Sequence, residues 1–238
     1  MKKLNIFLLA FLFILNSALA EKIKVGTSPD YPPFEFMKDN EITGFEVELT
    51  NELAKRVGVE IEWLSMPFSG IIAALKSGKI EAAATGMVMT PERHKILDFS
   101  TSFYSADNAY LKQKDREDIK EISDLAGKKV GFQMGTTREI AVKNIKDAIG
   151  VGMEETMTMV MSTSTGKLDA FVIEKIVGKK YAKEHPNLVV FATEKDWTEG
   201  IAMAFVKGSK YMPKFDAALK EFMQTDEYKK LKEKYELD

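Results

Sequence analysis

The sequence predicts a doubly wound α/β protein built as two lobes. Two observations carry that prediction. Short apolar runs alternate with segments whose apolar residues fall at helical spacing, which reads as strand-helix-strand-helix-strand. The alternation then restarts after a charge-rich stretch, Lys112 to Glu121, which reads as surface near a lobe boundary. With 45% hydrophobic residues in 238, there is ample material for a core and disorder is excluded.

A leader precedes the first element. Met1-Lys2-Lys3 is followed by an apolar run from Ile6 to Leu15 and by Asn16-Ser17-Ala18-Leu19-Ala20. A basic start, a short apolar stretch and small residues at Ala18 and Ala20 read as a secretory signal peptide over residues 1–20. A membrane anchor is the weaker reading, because so short a run spans only about half of a bilayer core. The mature chain then starts at Glu21. Without Lys2 and Lys3 it has 32 basic and 36 acidic side chains, a net charge of −4. That balance is too mild and too mixed to suggest nucleic acid as a partner.

The strands and helices follow in order. Lys22 to Gly26 reads as a strand. Phe45, Leu49, Leu53, Ala54 and Val57 mark a helix that Gly58 stops. Ile61 to Leu64 is a second strand, and Ser69 to Ser77 a short helix with Ser69 as N-cap. Ala82 to Thr85 is a third strand, leading to a helix that begins at Thr90-Pro91. In the second half, Lys129 to Phe132, Met157 to Val160, Ala170 to Ile173, Leu188 to Phe191 and Ile201 to Val206 read as strands. Arg138 to Lys146 and Glu174 to Glu184 read as helices. Two more close the chain, the first with an apolar stripe of Phe215, Ala218, Leu219 and Phe222.

Several kinds of chemistry lack their residues. There is no cysteine, so no disulfide, thiol nucleophile, thiolate metal site or lipid-attachable cysteine at the cleavage point. His94 and His185 stand apart without metal-ligand spacing, and no glycine-rich phosphate loop or hydrolase elbow occurs. No cofactor or metal is expected.

Four features could hold a ligand at the carboxyl ends of strands, where such sheets bind. In Thr85-Gly86-Met87-Val88-Met89-Thr90-Pro91-Glu92-Arg93 a strand ends and a helix starts, with Arg93 in its first turn. A cation there suits a bound anion, and a planar guanidinium suits a carboxylate; the bland alternative is a solvated arginine. Gly135-Thr136-Thr137-Arg138-Glu139 offers a second helix start, with Thr136 and Glu139 at capping-box spacing. Glu174 ends the apolar strand Ala170 to Ile173, where an ammonium could meet it, although a helix-starting acid is the commoner role. Tyr31 in Tyr31-Pro32-Pro33-Phe34 and Phe68 could hold an apolar or cationic stem between rings. Phe34 reads as core.

Together these stretches resemble the periplasmic amino-acid-binding proteins of ABC transporters. The resemblance rests on Thr27-Ser28-Pro29-Asp30-Tyr31-Pro32-Pro33-Phe34-Glu35-Phe36, Gly44-Phe45-Glu46-Val47-Glu48-Leu49, Phe68-Ser69-Gly70-Ile71-Ile72 and Thr90-Pro91-Glu92-Arg93. It continues through Asp98-Phe99-Ser100, Gln133-Met134-Gly135-Thr136-Thr137 and Asp169-Ala170, in unbroken order. It implies a type II periplasmic-binding-protein fold, two α/β lobes joined by two crossover strands. Lobe 1 would comprise residues 21–107 and 205–238, and lobe 2 residues 108–204, with hinge strands near 108–111 and 200–202. It also implies a monomer, free in the periplasm, that hands a free amino acid to an inner-membrane permease.

The resemblance implies roles as well. Arg93 would grip the α-carboxylate, helped by the amides of Val88 and Thr137; Glu174 would take the α-ammonium with the Gly86 carbonyl; Tyr31 and Phe68 would enclose the side chain. Ser28, Asp30, Gln133 and Thr136 complete the candidate set, and Asp30 and Glu35 lie nearest the side-chain end. Val88 replaces a frequent hydroxyl residue, and Glu174 the commoner aspartate. Ser28 replaces the aspartate of histidine and glutamine binders, and Gln133 the lysine of the glutamine binder. The pattern is most similar to arginine binders, so arginine or lysine is favoured and glutamine comes next. Two rivals share the fold. A cyclohexadienyl dehydratase needs an acid where Val177 stands and an Asn-Pro-Gly-Gly pattern that is absent. A ligand-sensing domain would need a separate receptor.

Overall fold

The computed structural model describes Glu21 to Leu237; the leader read at residues 1–20 lies outside them. The chain opens with β1 (Glu21–Thr27), whose Ile23 and Val25 are fully buried. A three-stranded antiparallel flap follows: β2 (Asp30–Tyr31), β3 (Glu35–Lys38) and β4 (Glu41–Thr43). These strands are too short for periodicity to reveal. Helix α1 (Phe45–Val57) buries Leu49, Leu53 and Ala54 and ends at Gly58, whose left-handed backbone (φ +76) suits only glycine without strain. After it come β5 (Val59–Ser65), α2 (Phe68–Lys76), β6 (Ala82–Ala83), α3 (Pro91–His94) and β7 (Leu97–Phe99). Ser69 does not cap α2: the helix starts one residue earlier, after Pro67. The Ser69 hydroxyl instead donates to the Glu154 carboxylate at 2.7 Å.

The second lobe begins with β8 (Asn108–Gln113), then β9 (Lys129–Gln133), α4 (Arg138–Lys143), β10 (Ile149–Met153), α5 (Thr156–Ser164), β11 (Ala170–Glu174), α6 (Lys175–Glu184) and β12 (Leu188–Glu194). The chain then returns through β13 (Ala204–Val206) to the closing helices α7 (Met212–Phe222) and α8 (Asp226–Lys234). The stripe on α7 is buried at Phe215, Ala218, Leu219 and Phe222.

One further expectation needs correction. Met157 to Val160 is not a strand but part of α5, whose buried Thr156, Met159, Val160 and Thr163 recur at helical spacing. Four apolar residues cannot by themselves separate the two periods. The strand of that region is β10, where Gly150 and Gly152 break the alternation of side chains that would have marked it. The stretch from Lys112 to Glu121 is mostly exposed, as expected, but it is anchored at its start. Lys112 is buried in β8, and its ammonium donates to the carbonyls of Arg116 and Ile119, folding the charged loop onto the second sheet.

Each lobe holds one five-stranded sheet, with order β5-β1-β6-β13-β7 in the first and β10-β9-β11-β8-β12 in the second. In both, the fourth strand of that order runs antiparallel to its neighbours, and β13 brings the C-terminal part of the chain back into the first sheet. The two connections between the sheets pair with each other at Tyr104 and Ile201, while Asn108–Leu111 is already inside the second sheet. This places the carboxyl ends of β1 and β6 opposite those of β9 and β11. That is where a doubly wound sheet binds ligand.

Candidate functional site

The cleft is built from loops that leave these strand ends. From the first lobe, Ser28, Asp30 and Tyr31 follow β1, Gly86 follows β6, and Phe68 opens α2. From the second, Gln133 ends β9, Thr136 follows it, and Glu174 ends β11. Seven predicted residues, Ser28, Asp30, Tyr31, Phe68, Gly86, Gln133 and Thr136, line one cavity of about 10 Å³ together with Glu35 and Arg138. That is room for about one water. The cleft is narrow because hydrogen bonds from both lobes draw it together.

Side chains from both lobes close it. The Thr156 amide donates to Asp30 Oδ2 at 2.6 Å, and the Tyr181 hydroxyl to the Asp30 carbonyl at 2.9 Å. Tyr31, from the flap, donates its hydroxyl to Glu174 across the cleft. Gly86 and Gly135 fit only without a side chain: Gly86 has φ +58 with the Tyr31 ring 3.2 Å from where a Cβ would stand, and Gly135 has φ +80 with the Ser69 backbone at 3.1 Å.

Arg93 is buried, and Thr90 caps α3 by accepting from the Arg93 amide at 3.2 Å. Its guanidinium donates to the Val88 carbonyl at 2.7 Å and, across the cleft, to the Gly135 carbonyl at 2.9 Å. It also lies 5.8 Å from the centre of the Phe68 ring. Among the described residues no carboxylate comes within salt-bridge distance of it. Burial, followed by repulsion from Arg138, lowers its pKa to about 10, so it stays charged at neutral pH.

Glu174 is buried, and both of its oxygens are engaged, Oε2 by Tyr31 and Oε1 by Arg138 at 2.5 Å. Arg138 also donates to Thr137 Oγ1 at 3.1 Å and to the Ala106 carbonyl at 3.2 Å. Burial works against its charge, but attraction to Glu174, Tyr31 and Asp196 together more than offsets this and holds the guanidinium above its ordinary pKa. The capping box expected from Thr136 and Glu139 does not form. Thr136 turns its hydroxyl back to the Gln133 carbonyl at 2.7 Å, and α4 starts after Thr137 with no side-chain cap. Gln133 reaches the Glu154 carbonyl at 3.2 Å.

Sequence reasoning missed two members of the site. Arg138 has the sequence context of an ordinary helix start. Glu46 sits in the first turn of α1, where an acid is expected for the dipole alone, yet it is fully buried and accepts from the Gly86 amide at 2.7 Å. Its neighbour Glu35 is buried too, and each carboxyl keeps one oxygen without a partner. Burial raises both: Glu46 to about 7, despite the Gly86 amide and Glu35, and Glu35 well above the carboxylate range, with Glu46 and Asp30 adding to the effect. Asp30 is raised by burial against the pull of the Thr156 amide. One side of the cleft is thus walled by the carboxyl groups of Asp30 and Glu35, with Glu46 bonded to the Gly86 amide.

Comparison with known proteins agrees with this architecture. The family described as bacterial extracellular solute-binding proteins, family 3, matches residues 23–238. A probable histidine-binding protein of Campylobacter jejuni is 38% identical over 218 residues, covering 91% of this chain and 85% of the relative. The arginine-binding extracellular protein ArtP of Bacillus subtilis is 39% identical, covering 90% and 86%. Among solved structures, an ancestral arginine-binding protein bound to arginine superposes with a TM-score of 0.86 at 33% identity, over 90% of this chain and 97% of that one. These relatives are binding proteins, and so is this chain, which is not an enzyme; its fold is that of type II periplasmic binding proteins. The chain belongs to the family 3 bacterial extracellular solute-binding proteins.

Proposed function

We propose that the protein captures a cationic amino acid, arginine or lysine ahead of glutamine, in the periplasm and delivers it to the permease of an ABC importer. The observation that carries this reading is Arg93, a buried guanidinium facing the cleft with no carboxylate partner among the described residues. A buried charge of that kind calls for an anion, and a ligand's α-carboxylate supplies one with two parallel hydrogen bonds. The Val88 carbonyl accepts from the guanidinium, and Thr137 lies two residues beyond the Gly135 carbonyl that it reaches. Glu174 and the Gly86 carbonyl would take the α-ammonium, and Tyr31 and Phe68 the stem of the side chain.

Asp30 and Glu35 line the far end of the cavity, where a cationic head would pull their raised pKa values down and be held by the carboxylates so formed, with Ser28, Gln133 and Thr136 completing the wall. The arginine-binding relatives support the same class, and the relative described as a probable histidine binder adds histidine to the panel to be tested. Lobe 1, residues 21–107 and 205–238, would close on lobe 2, residues 108–204, as the segments near 108–111 and 200–202 flex. The carrier would work as a monomer, without cofactor or lipid anchor, once its leader is removed.

A thermal-shift screen of the twenty amino acids tests the ligand class, because a ligand that binds only the folded state raises stability by RT ln(1 + [L]/Kd). Calorimetry then tests the site. Removing one partner of a buried charge pair costs about 2–5 kcal/mol, so Arg93→Ala should weaken binding by roughly 30-fold to several-thousandfold. Unchanged affinity in that variant, or a panel in which neutral amino acids bind and arginine and lysine do not, would overturn the reading.

A further inference from the structure

We propose that Arg138 is a resident cation that competes with the ligand's α-ammonium for Glu174 and so sets which ligands the cleft accepts. The inference rests on the assignment of Glu174 to the α-ammonium. Three observations carry it.

The first is occupancy. Arg138 is the only cation within salt-bridge distance of Glu174 among the described residues, at 2.5 Å, and its side chain is almost wholly buried. The other groups around the guanidinium are the Thr137 hydroxyl, the Ala106 carbonyl and Asp196 Oδ2 at 3.7 Å. Glu174, Thr137 and Asp196 belong to the second lobe, and Ala106 to the connection into it. The pair therefore does not depend on closure, and an arriving amino acid meets a Glu174 that already has its counter-ion.

The second is position. Arg138 lines the cavity of the cleft, and its guanidinium holds Glu174 Oε1 while the Tyr31 hydroxyl holds Oε2, so an ammonium that takes Oε1 must take the guanidinium's place. The third is a route out. Arg138 Nε is buried without a partner, so one donor is forfeited in the present position. Asp196 Oδ2 is buried without a hydrogen bond 3.7 Å away, which gives the displaced guanidinium an acceptor to move to. Exchange then replaces one buried ion pair by two and never leaves Glu174 bare, the arrangement that would cost most. A ligand lacking an α-ammonium has nothing to exchange and meets a closed door.

The test is calorimetry on wild type, Arg138→Gln and Arg138→Ala with two pairs of probes: L-arginine and deaminated arginine (guanidinopentanoate), and L-lysine and deaminated lysine (aminohexanoate). A site whose competent state is only fractionally populated has its affinity reduced by that fraction. Removing the competitor should therefore tighten binding of the L-amino acid by about tenfold or more and leave the deaminated probe unchanged. Unchanged or weaker binding of the L-amino acid in both variants would overturn the inference. So would an equal gain for the deaminated probe, which would make Arg138 a steric block and not a competitor for charge. A wild type that binds neither amino acid would instead overturn the functional reading beneath it.

Discussion

Replacing Glu46 with Gln should flatten the loss of stability that the protein undergoes as pH rises toward neutrality. Glu46 is fully buried under the cleft, and burial lifts its pKa from an ordinary 4.5 to about 7. The folded protein thus holds this proton more tightly than the unfolded chain does. The resulting stabilisation is fully present below about pH 4.5 and disappears as pH climbs through about 7. At about 1.4 kcal/mol per tenfold change in proton affinity, the full contribution is about 3 kcal/mol. Most of it, about 2–3 kcal/mol, vanishes between about pH 5 and pH 8.

A glutamine at this position cannot titrate but keeps an oxygen for the Gly86 amide, so the local packing survives. Urea unfolding of both proteins at the two pH values gives the answer. Asp30 titrates in both proteins and largely cancels in the difference between the two pH dependences, whereas Glu35, which Glu46 helps to raise, shifts with the substitution, so the difference reports the Glu35–Glu46 pair. Stability curves that fall in parallel for wild type and Glu46→Gln would refute the assignment of the raised carboxyl to Glu46.

Other outcomes follow from the closed cleft. Gly86→Ala forces a side chain into a left-handed backbone against the Tyr31 ring, at a cost of about 1–2 kcal/mol, and should lower Tm by about 2–8 °C in scanning calorimetry. Asp30→Ala removes the carboxylate that accepts the Thr156 amide across the cleft. Loss of this charge-assisted bond should weaken amino-acid binding by about tenfold to a hundredfold and increase the radius of gyration in solution scattering. Unaltered affinity and dimensions would mean that this bond does not hold the lobes together.

The legible parts of the fold were those with local causes. Gly58 stops α1 because of its own backbone, Thr90 caps α3 three residues from the amide it accepts from, and the α7 stripe repeats within a single helix. What sequence reasoning missed has distant causes. Glu46 looks like any acid at a helix start, and only the Gly86 amide, forty residues away, makes it part of the site. Arg138 looks like a solvated first-turn residue, and its burial depends on Glu174, thirty-six residues on. The Thr136-Glu139 spacing misled because the Gln133 carbonyl, nearer to hand, claims the hydroxyl. Glycine in β10 hid a strand for a related reason: the neighbours that close over Gly152, Met134 and Phe132, come from another segment.

The position of β13 bears on the order in which the molecule can assemble. The strands of the second sheet come from one continuous stretch, β8 to β12, and can pair as soon as that stretch exists. The first sheet cannot. Its β6 and β7 are held together only through β13, which lies more than a hundred residues after them, and α7 and α8 come later still. The lobe made first is therefore the lobe finished last, and closing that long loop makes its folding slow compared with that of its partner. Until β13 arrives, the early strands have open edges and stay pliable.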